Sequence, residues 1–333
     1  MKAVTEDIIW RSTAQRCPAA SKGGIVLLRY IIKRLGQTVI VLFFVSLFAF
    51  MLVRLAPGDP ARMMVAESAT PEQVEAVREE LGLNKSLAEQ YFRYIGGVLK
   101  GDLGTSIQYK MPAWDVIKGR LPVTFKLAIS TLLLILIVSI PLGIIAGSRQ
   151  GTGGDFFAMS FAMLGQSMSP VWLGVLLIYI FSVTLDWLPS FGSEGGLAVI
   201  VMPAVALGYQ HMAETTRITR SEMIDVMKED YITSAYAKGI SKREVRWKYA
   251  FKNAMVPVVT LSGINLGYML AGTIVVETIF VWSGVGQLLF QAVSTRDYPL
   301  VQSTLLISAA IIAIINLLVD ILNSLIDPRI TLE

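Results

Sequence analysis

The side chains that most often do chemistry are sparse in this sequence. The 333 residues include one histidine, His211, and one cysteine, Cys17. One histidine cannot build a histidine-based metal site, and one cysteine cannot close an intrachain disulfide. No H-E-x-x-H, G-x-S-x-G or Cys–His partnership occurs. The phosphate-binding pattern G-x-x-x-x-G-K-[ST] is missing too, since GLNKS at Gly82 lacks the spacing and the second glycine. The chain is therefore not expected to be an enzyme or to bind a cofactor. Work against a gradient would have to draw its energy from elsewhere.

What remains are isolated polar groups set in apolar surroundings. Gln166, Asn265 and Tyr268 lie on the third and fifth apolar runs, and Glu277 sits at the outer end of the fifth. They are the candidates for lining a solute path, because ionisable groups at membrane depth tend to be functional. For Glu277 the other reading is an interfacial acid bonded locally. Asn316, Asp320 and Asn323 recur at helical spacing in the last run, and Asp320 is expected to face protein or water. His211 is expected to be a hydrogen-bonded structural histidine.

The one dense charged stretch, Thr215–Asn253, lies between two apolar runs. Met223, Val226, Met227 and Ile232 interleave with Glu222, Asp225, Lys228 and Glu229 at helical spacing. Gly239 then permits a left-handed turn. Ser241, with Glu244 three residues on, reads as a capping box that starts a second helix. Helix, glycine elbow, helix is the expected geometry. Such an elbow could fit a partner's groove; the other reading is a positively charged loop that only fixes topology, although topology needs only a few Lys or Arg.

These residues must be held by the rest of the chain, which is 54% apolar and 16% charged. Six runs reach the ~20 residues needed to cross a hydrocarbon core: Leu35–Val53, Leu127–Ala146, Phe156–Leu185, Gly195–Ala213, Asn253–Val276 and Leu300–Val319. None contains Asp, Glu, Lys or Arg. The fold class is thus an all-α polytopic membrane protein with six transmembrane helices. Residues 1–34 carry seven Lys/Arg and 214–252 carry nine, against none in 186–194 and only Arg296 in 277–299. Positive loops stay cytoplasmic, which puts both termini inside. The ten basic residues of 54–126 lie in a long loop that largely escapes the rule. The net charge of +4 is no nucleic-acid signal, because the basic residues sort by loop. No cleaved signal peptide is expected.

The expected division is a tail at 1–26, a first span at 27–55, and an extracytoplasmic segment at 56–120. A transmembrane domain at 121–322, with its loop at 215–253, and a tail at 323–333 follow. In the external segment, Thr70, Pro71 and Gln73 start one helix and Ser86 with Glu89 starts another. The third run, at 30 residues, is too long for a straight crossing, and Ser167, Ser169 and Pro170 predict a kink or break in it. Gly143-x-x-x-Gly147 and Gly263-x-x-x-Gly267 predict close helix packing.

The charged stretch also resembles the cytoplasmic coupling loop of ABC-importer permeases. More narrowly, the chain resembles the dipeptide/oligopeptide/nickel permease family. Its Y-x-x-x-A-x-A-K-G motif stands here as Tyr231, Ala235, Ala237, Lys238 and Gly239, and K-N-A-x-x-P as Lys252, Asn253, Ala254 and Pro257. LAPGDPA, LGL, GDLGTS, RLPVTFKLA, VETIFVWSGVG, RDYPLVQ and DPR follow in the family's order over nearly everything after residue 27. The sequence departs at Thr233-Ser234-Ala235 (usually Glu-Ala-Ala), at Ser283 (usually Pro) and at Tyr249 (usually His).

The resemblance implies a type I ABC importer permease fold in the inner membrane. It implies a second homologous permease, two cytoplasmic ATP-binding subunits that use the ATP, and an extracytoplasmic solute-binding protein. It also implies that Asp230, Tyr231, Ala235, Lys238 and Gly239 couple to the ATPase. A secondary transporter would want ionisable groups inside the spans, and the six runs have no Asp, Glu, Lys or Arg. Peptide is expected as the solute, with nickel or another small solute as the alternative.

Overall fold

The computed structural model describes residues 20–55, 61–62, 65, 70–80, 82–193 and 195–326. The expected tail at 1–26 is described only from Ala20. Most of LAPGDPA, Leu81 of LGL, all of DPR and the tail beyond Ile326 lie outside the described residues.

The described chain is helical, with no strand beyond a single bridge between Thr105 and Pro112. The long helices are α1 (Ala20–Leu55), α4 (Ala113–Ser148), α7 (Leu197–Val226), α9 (Phe251–Ile279) and α11 (Tyr298–Ile326). Shorter ones are α2 (Pro71–Glu80), α3 (Leu87–Leu99), α5 (Gly153–Ser167), α6 (Pro170–Leu177), α8 (Asp230–Ala237) and α10 (Val285–Ser294). Among the described residues five helices are long and apolar enough to cross a membrane. The pair α5–α6, whose two parts meet at 107°, makes a sixth if it is counted as one broken span.

That break follows from Pro170. Proline pushes the preceding residue out of helical conformation, and Ser169 is extended at φ −71°, ψ 138°. The Ser169 hydroxyl then accepts from the Val171 amide at 3.3 Å and caps the new helix. Helix ends elsewhere overrun the charge-free windows. α1 starts at Ala20 instead of 27, and α4 starts at Ala113 inside the stretch assigned to the external segment. Hydropathy marks the part of a helix that meets lipid, whereas backbone hydrogen bonding continues into water.

The two short helices expected between the first and second spans form where their caps predict. Thr70 and Gln73 bond reciprocally, backbone to side chain, at 3.0 and 3.4 Å. The Ser86 hydroxyl accepts from the Glu89 amide at 3.3 Å. α3 packs on α1 through Tyr91, which bonds Ser46 at 2.8 Å and meets Phe50 edge-on at 5.4 Å between ring centroids.

The core is layered along the bundle. α4 and α7 run parallel at its centre, and the two glycines of α4 set their spacing. A Cβ on Gly143 would sit 2.5 Å from that of Thr219, and one on Gly147 2.6 Å from that of Met223. No larger residue fits there without moving a helix. Gly263 and Gly267 face Val319 and Asn316 of α11 in the same way. The middle layer joins Leu127, Ile135, Met202, Leu207, Met269, Phe280 and Trp282. A cap at one end joins Ile117, Leu288, Tyr298 and Leu300. A third cluster, at the opposite end, holds the charged stretch.

Candidate functional site

α7 leaves the bundle at Val226, and a turn at Met227–Glu229 interrupts the helix expected to continue from Thr219. α8 then runs for eight residues with Asp230 in its first turn, where an acid suits the positive end of the helix dipole. It ends in a paired C-terminal motif. The Gly239 amide donates to Tyr236 O at 2.9 Å and the Ile240 amide to Ala235 O at 3.3 Å. This motif needs a left-handed residue, and Gly239 supplies it at φ +76°. Ser241 caps the next turn, accepting from the Glu244 amide at 3.2 Å. The expected second helix is not a separate element. Lys242–Glu244 leads into a π-helical turn, Val245–Ala250, which runs on into α9. The second arm of the elbow is therefore one unbroken extension of a membrane span.

The two faces of the elbow differ. Ile232 and Ala235 are buried with Ile144 of α4, Met223 of α7, and Val245, Ala250 and Ala254. Tyr231, Tyr236, Lys238, Trp247 and Lys248 are exposed. Asp230 and Gly239 lie on the exposed side as well. Ala235, counted from the sequence among the partner-facing residues, is only 4% exposed and faces the chain's own bundle. Its small side chain lets α8 seat against α4 and α7. Asn253 donates to the Tyr231 hydroxyl at 2.6 Å, tying α8 to the foot of α9.

The four residues proposed from the sequence for a solute path do not come together. Glu277 is fully buried. One carboxylate oxygen accepts from Thr124 at 2.8 Å and the other from the Gln287 amide at 2.9 Å. With both oxygens engaged, Glu277 joins α4 to the turn between α9 and α10, as the reading of a locally bonded acid expects. Next to it, the Val285 amide donates to Thr124 Oγ1 at 2.8 Å and the buried Trp282 indole to Val123 O at 3.0 Å. Asn265 is also buried, beside His211. Gln166 and Tyr268 are exposed, Tyr268 by 65%. Gln166 lies in the last turn of α5, just before the break, and its amide oxygen accepts from Arg217 at 2.9 Å.

Several charged pairings were not legible as pairs. Arg34 of α1 meets Asp320 of α11 at 3.1 Å, which accounts for the polar spacing in the last span. Arg220 of α7 grips Asp155 of α5 with two nitrogens, at 2.5 and 2.9 Å. Asp297 is buried and collects the Ser106 hydroxyl, the Gln108 amide at 3.0 Å and the Leu300 amide at 3.2 Å. GDLGTS and RDYPLVQ are thus two halves of one joint. Their separate appearance in the sequence gave the only hint of it.

Comparison with known proteins adds to this geometry. Residues 139–332 match the family described as binding-protein-dependent transport system inner membrane component. Residues 27–128 match its N-terminal companion. The glutathione transport system permease protein GsiC of Escherichia coli (strain K12) is 40% identical over 304 residues, covering 91% of this chain and 99% of that protein. The probable peptide ABC transporter permease protein y4tP of Sinorhizobium fredii (strain NBRC 101917 / NGR234) is 38% identical over 308 residues, covering 90% and 98%. An inward-facing crystal form of the MetNI methionine ABC transporter shares the fold with a TM-score of 0.53 at 14% identity, over 64% of this chain and 96% of that one.

Proposed function

From the premise that the chain belongs to the family of binding-protein-dependent transport system inner membrane components, we propose that it forms half of a peptide-import pathway driven by a separate ATPase. It is a multi-pass membrane protein and a permease subunit of an ABC importer. The relatives named for glutathione and peptide transport support a peptide cargo. Glutathione is itself a short peptide with free carboxylates and an ammonium group.

The observation that carries the coupling mechanism is the two-faced elbow. Its inner side is buried against α4, α7 and α9, and its outer side is free. In our reading the loop lies in the cytoplasm and both termini lie on that side, as the distribution of Lys and Arg favours. Asp230, Tyr231, Lys238 and the turn at Gly239 meet the ATPase subunit. Ala235 transmits from beneath. Closure of two ATPase subunits on nucleotide pushes the tip. Because the tip is continuous with α9, the push biases the bundle between two arrangements. A second homologous permease completes the path, and an extracytoplasmic binding protein delivers the solute.

Co-expression with the other permease, the ATPase subunits and the binding protein tests this. The chain is expected to copurify with the ATPase and to support ATP-dependent peptide uptake in proteoliposomes. Uptake by the chain alone, or nucleotide hydrolysis by it unaided, overturns the reading.

A further inference from the structure

The inner half of α7 carries a charged face that the fold leaves open. Gln210, Glu214, Arg217 and Ser221 fall within about 60° of arc at 3.6 residues per turn. Gln210, Arg217 and Ser221 are exposed, and the Glu214 side chain is 40% exposed. The depth of this face follows from its neighbour. Ser139 of the parallel helix α4 bonds Met212 O, and Gly143 of α4 packs on Thr219. Beside those levels α4 is free of charge and presents Ile137 and Ile145 outward, 70% and 42% exposed. Glu214 and Arg217 therefore lie at the depth of an apolar, charge-free outer surface. A charged side chain in hydrocarbon costs a few kcal/mol, so this face meets water or protein instead of lipid.

The two charges are drawn to opposite sides. Arg217 reaches α5, where the Gln166 oxygen holds it at 2.9 Å. Glu214 lies 4.0 Å from His211, which neighbours Asn265 of α9. No ion pair joins Glu214 to Arg217 among the described residues, so each keeps its charge for something else. The face is one helix wide, about 10 Å with side chains. A peptide of two or three residues extends about 7 to 10 Å.

We propose that this face of α7 lines the aqueous path of the assembled transporter, with Arg217 receiving the carboxylate and Glu214 the ammonium of a short zwitterionic solute. The proposal rests on the permease reading above and deepens it. The main chain of a peptide carries those two charges whatever its side chains, so a site of this kind accepts many sequences. Gln166 is a positioning residue that keeps Arg217 away from Glu214.

Cys17 is the only native cysteine, so Cys17→Ser gives a background for single reporters. The test uses the complete assembly in inside-out vesicles, with reporters Gln210→Cys and Ser221→Cys on the face and Ile137→Cys as the lipid-facing control. A membrane-impermeant, charged thiol reagent is expected to label both face reporters at least tenfold faster than the control. A free dipeptide, at concentrations up to its solubility, is expected to slow labelling at Gln210→Cys several-fold. The same dipeptide acetylated and amidated at its ends is expected not to. Arg217→Gln should abolish the protection, and Arg217→Lys should keep part of it, which a purely structural role for Arg217 does not predict. Labelling no faster than at Ile137→Cys means a face sealed by the partner permease and overturns the proposal. Protection unchanged by Arg217→Gln overturns it equally. Peptide uptake by the unsubstituted assembly is measured alongside. Its absence defeats the peptide reading of the preceding section, whereas the labelling results bear on this face.

Discussion

Asn253 donates a 2.6 Å hydrogen bond to the hydroxyl of Tyr231, although 22 residues separate them. Tyr231 opens the helix that departs from the bundle, and Asn253 lies at the foot of the helix that re-enters it. The bond pins the two arms of the elbow where they diverge. The apolar cluster of Ile232, Ala235, Val245 and Ala250 fills the space between them. Under the proposed coupling, a push on the tip is not absorbed by spreading the arms and passes into α9.

The tip depends on the backbone of Gly239. Its φ of +76° costs an L-residue about 1–2 kcal/mol, but a Cβ there would meet nothing within 4 Å. Gly239→Ala is therefore expected to keep most of its transport. Proline is held near φ −65° and cannot take this turn, and it also removes the amide bonded to Tyr236. Gly239→Pro is expected to insert at normal abundance and to lose transport at least tenfold, with ATP hydrolysis no longer stimulated by solute. Uptake at the native rate in that variant would mean that the turn is not part of the lever.

The two faces of the elbow predict opposite phenotypes. Ala235→Leu forces extra carbons between α8, α4 and α7, and overpacking of this kind costs about 1–3 kcal/mol. It should lower the thermal midpoint of the purified chain. Lys238→Glu alters an exposed charge and should leave that midpoint unchanged while weakening ATPase capture in pull-downs. Melting curves and pull-downs of both variants separate the faces, and identical behaviour in the two would erase the distinction.

How far the sequence could be read depended on how far apart the partners lie. The caps at Thr70, Ser86 and Ser241 and the turn at Gly239 were legible because each is closed within a few residues. The break before Pro170 was legible for the same reason. Six apolar runs gave the membrane class, because length and absence of charge are local properties. The partner of Glu277 was not legible because Thr124 lies 153 residues away, and nothing in either segment announces the other. The burial of Ala235 was not legible because the resemblance marks a motif without saying which of its residues face inward. Arg217 and Glu214 were passed over because a charge-free window ends at the first charge, while α7 continues to Val226.

The Glu277 clamp predicts loss of stability without a change in solute preference. Glu277→Ala removes the acceptor for Thr124 and for the Gln287 amide, and each buried group left unpaired costs about 1–3 kcal/mol. Thr124→Val keeps the shape but strands Glu277 and the Val285 amide. Both variants should show lower membrane abundance and lower melting temperature. The peptides that are still carried should keep their rank order. A reordered rank in Glu277→Ala at normal abundance would return Glu277 to the solute path.

Asp297 predicts how the stretch from Gly101 to Pro112, proposed to lie outside, is held. Its carboxylate gathers the Ser106 hydroxyl and the amides of Gln108 and Leu300, and the Ser303 hydroxyl adds a 2.6 Å bond to Leu103 O. The stretch from Gly101 to Pro112 contains no helix and makes few backbone bonds of its own, so these contacts decide its position. Asp297→Ala should release it, and Asp297→Asn, which keeps one acceptor, should release it partly. Asp102→Ala breaks only the exposed turn to the Gly104 amide and serves as the control. In right-side-out vesicles, protease added outside is expected to cut between 101 and 112 several-fold faster in Asp297→Ala than in the native chain, with Asp102→Ala near native. Because Ser106 and Gln108 connect through Asp297 to the start of α11, the same variant should also slow uptake even where the chain stays intact. Native protease resistance in Asp297→Ala would place the anchorage of the segment elsewhere, on the packing of Tyr91 and Phe50 between α3 and α1.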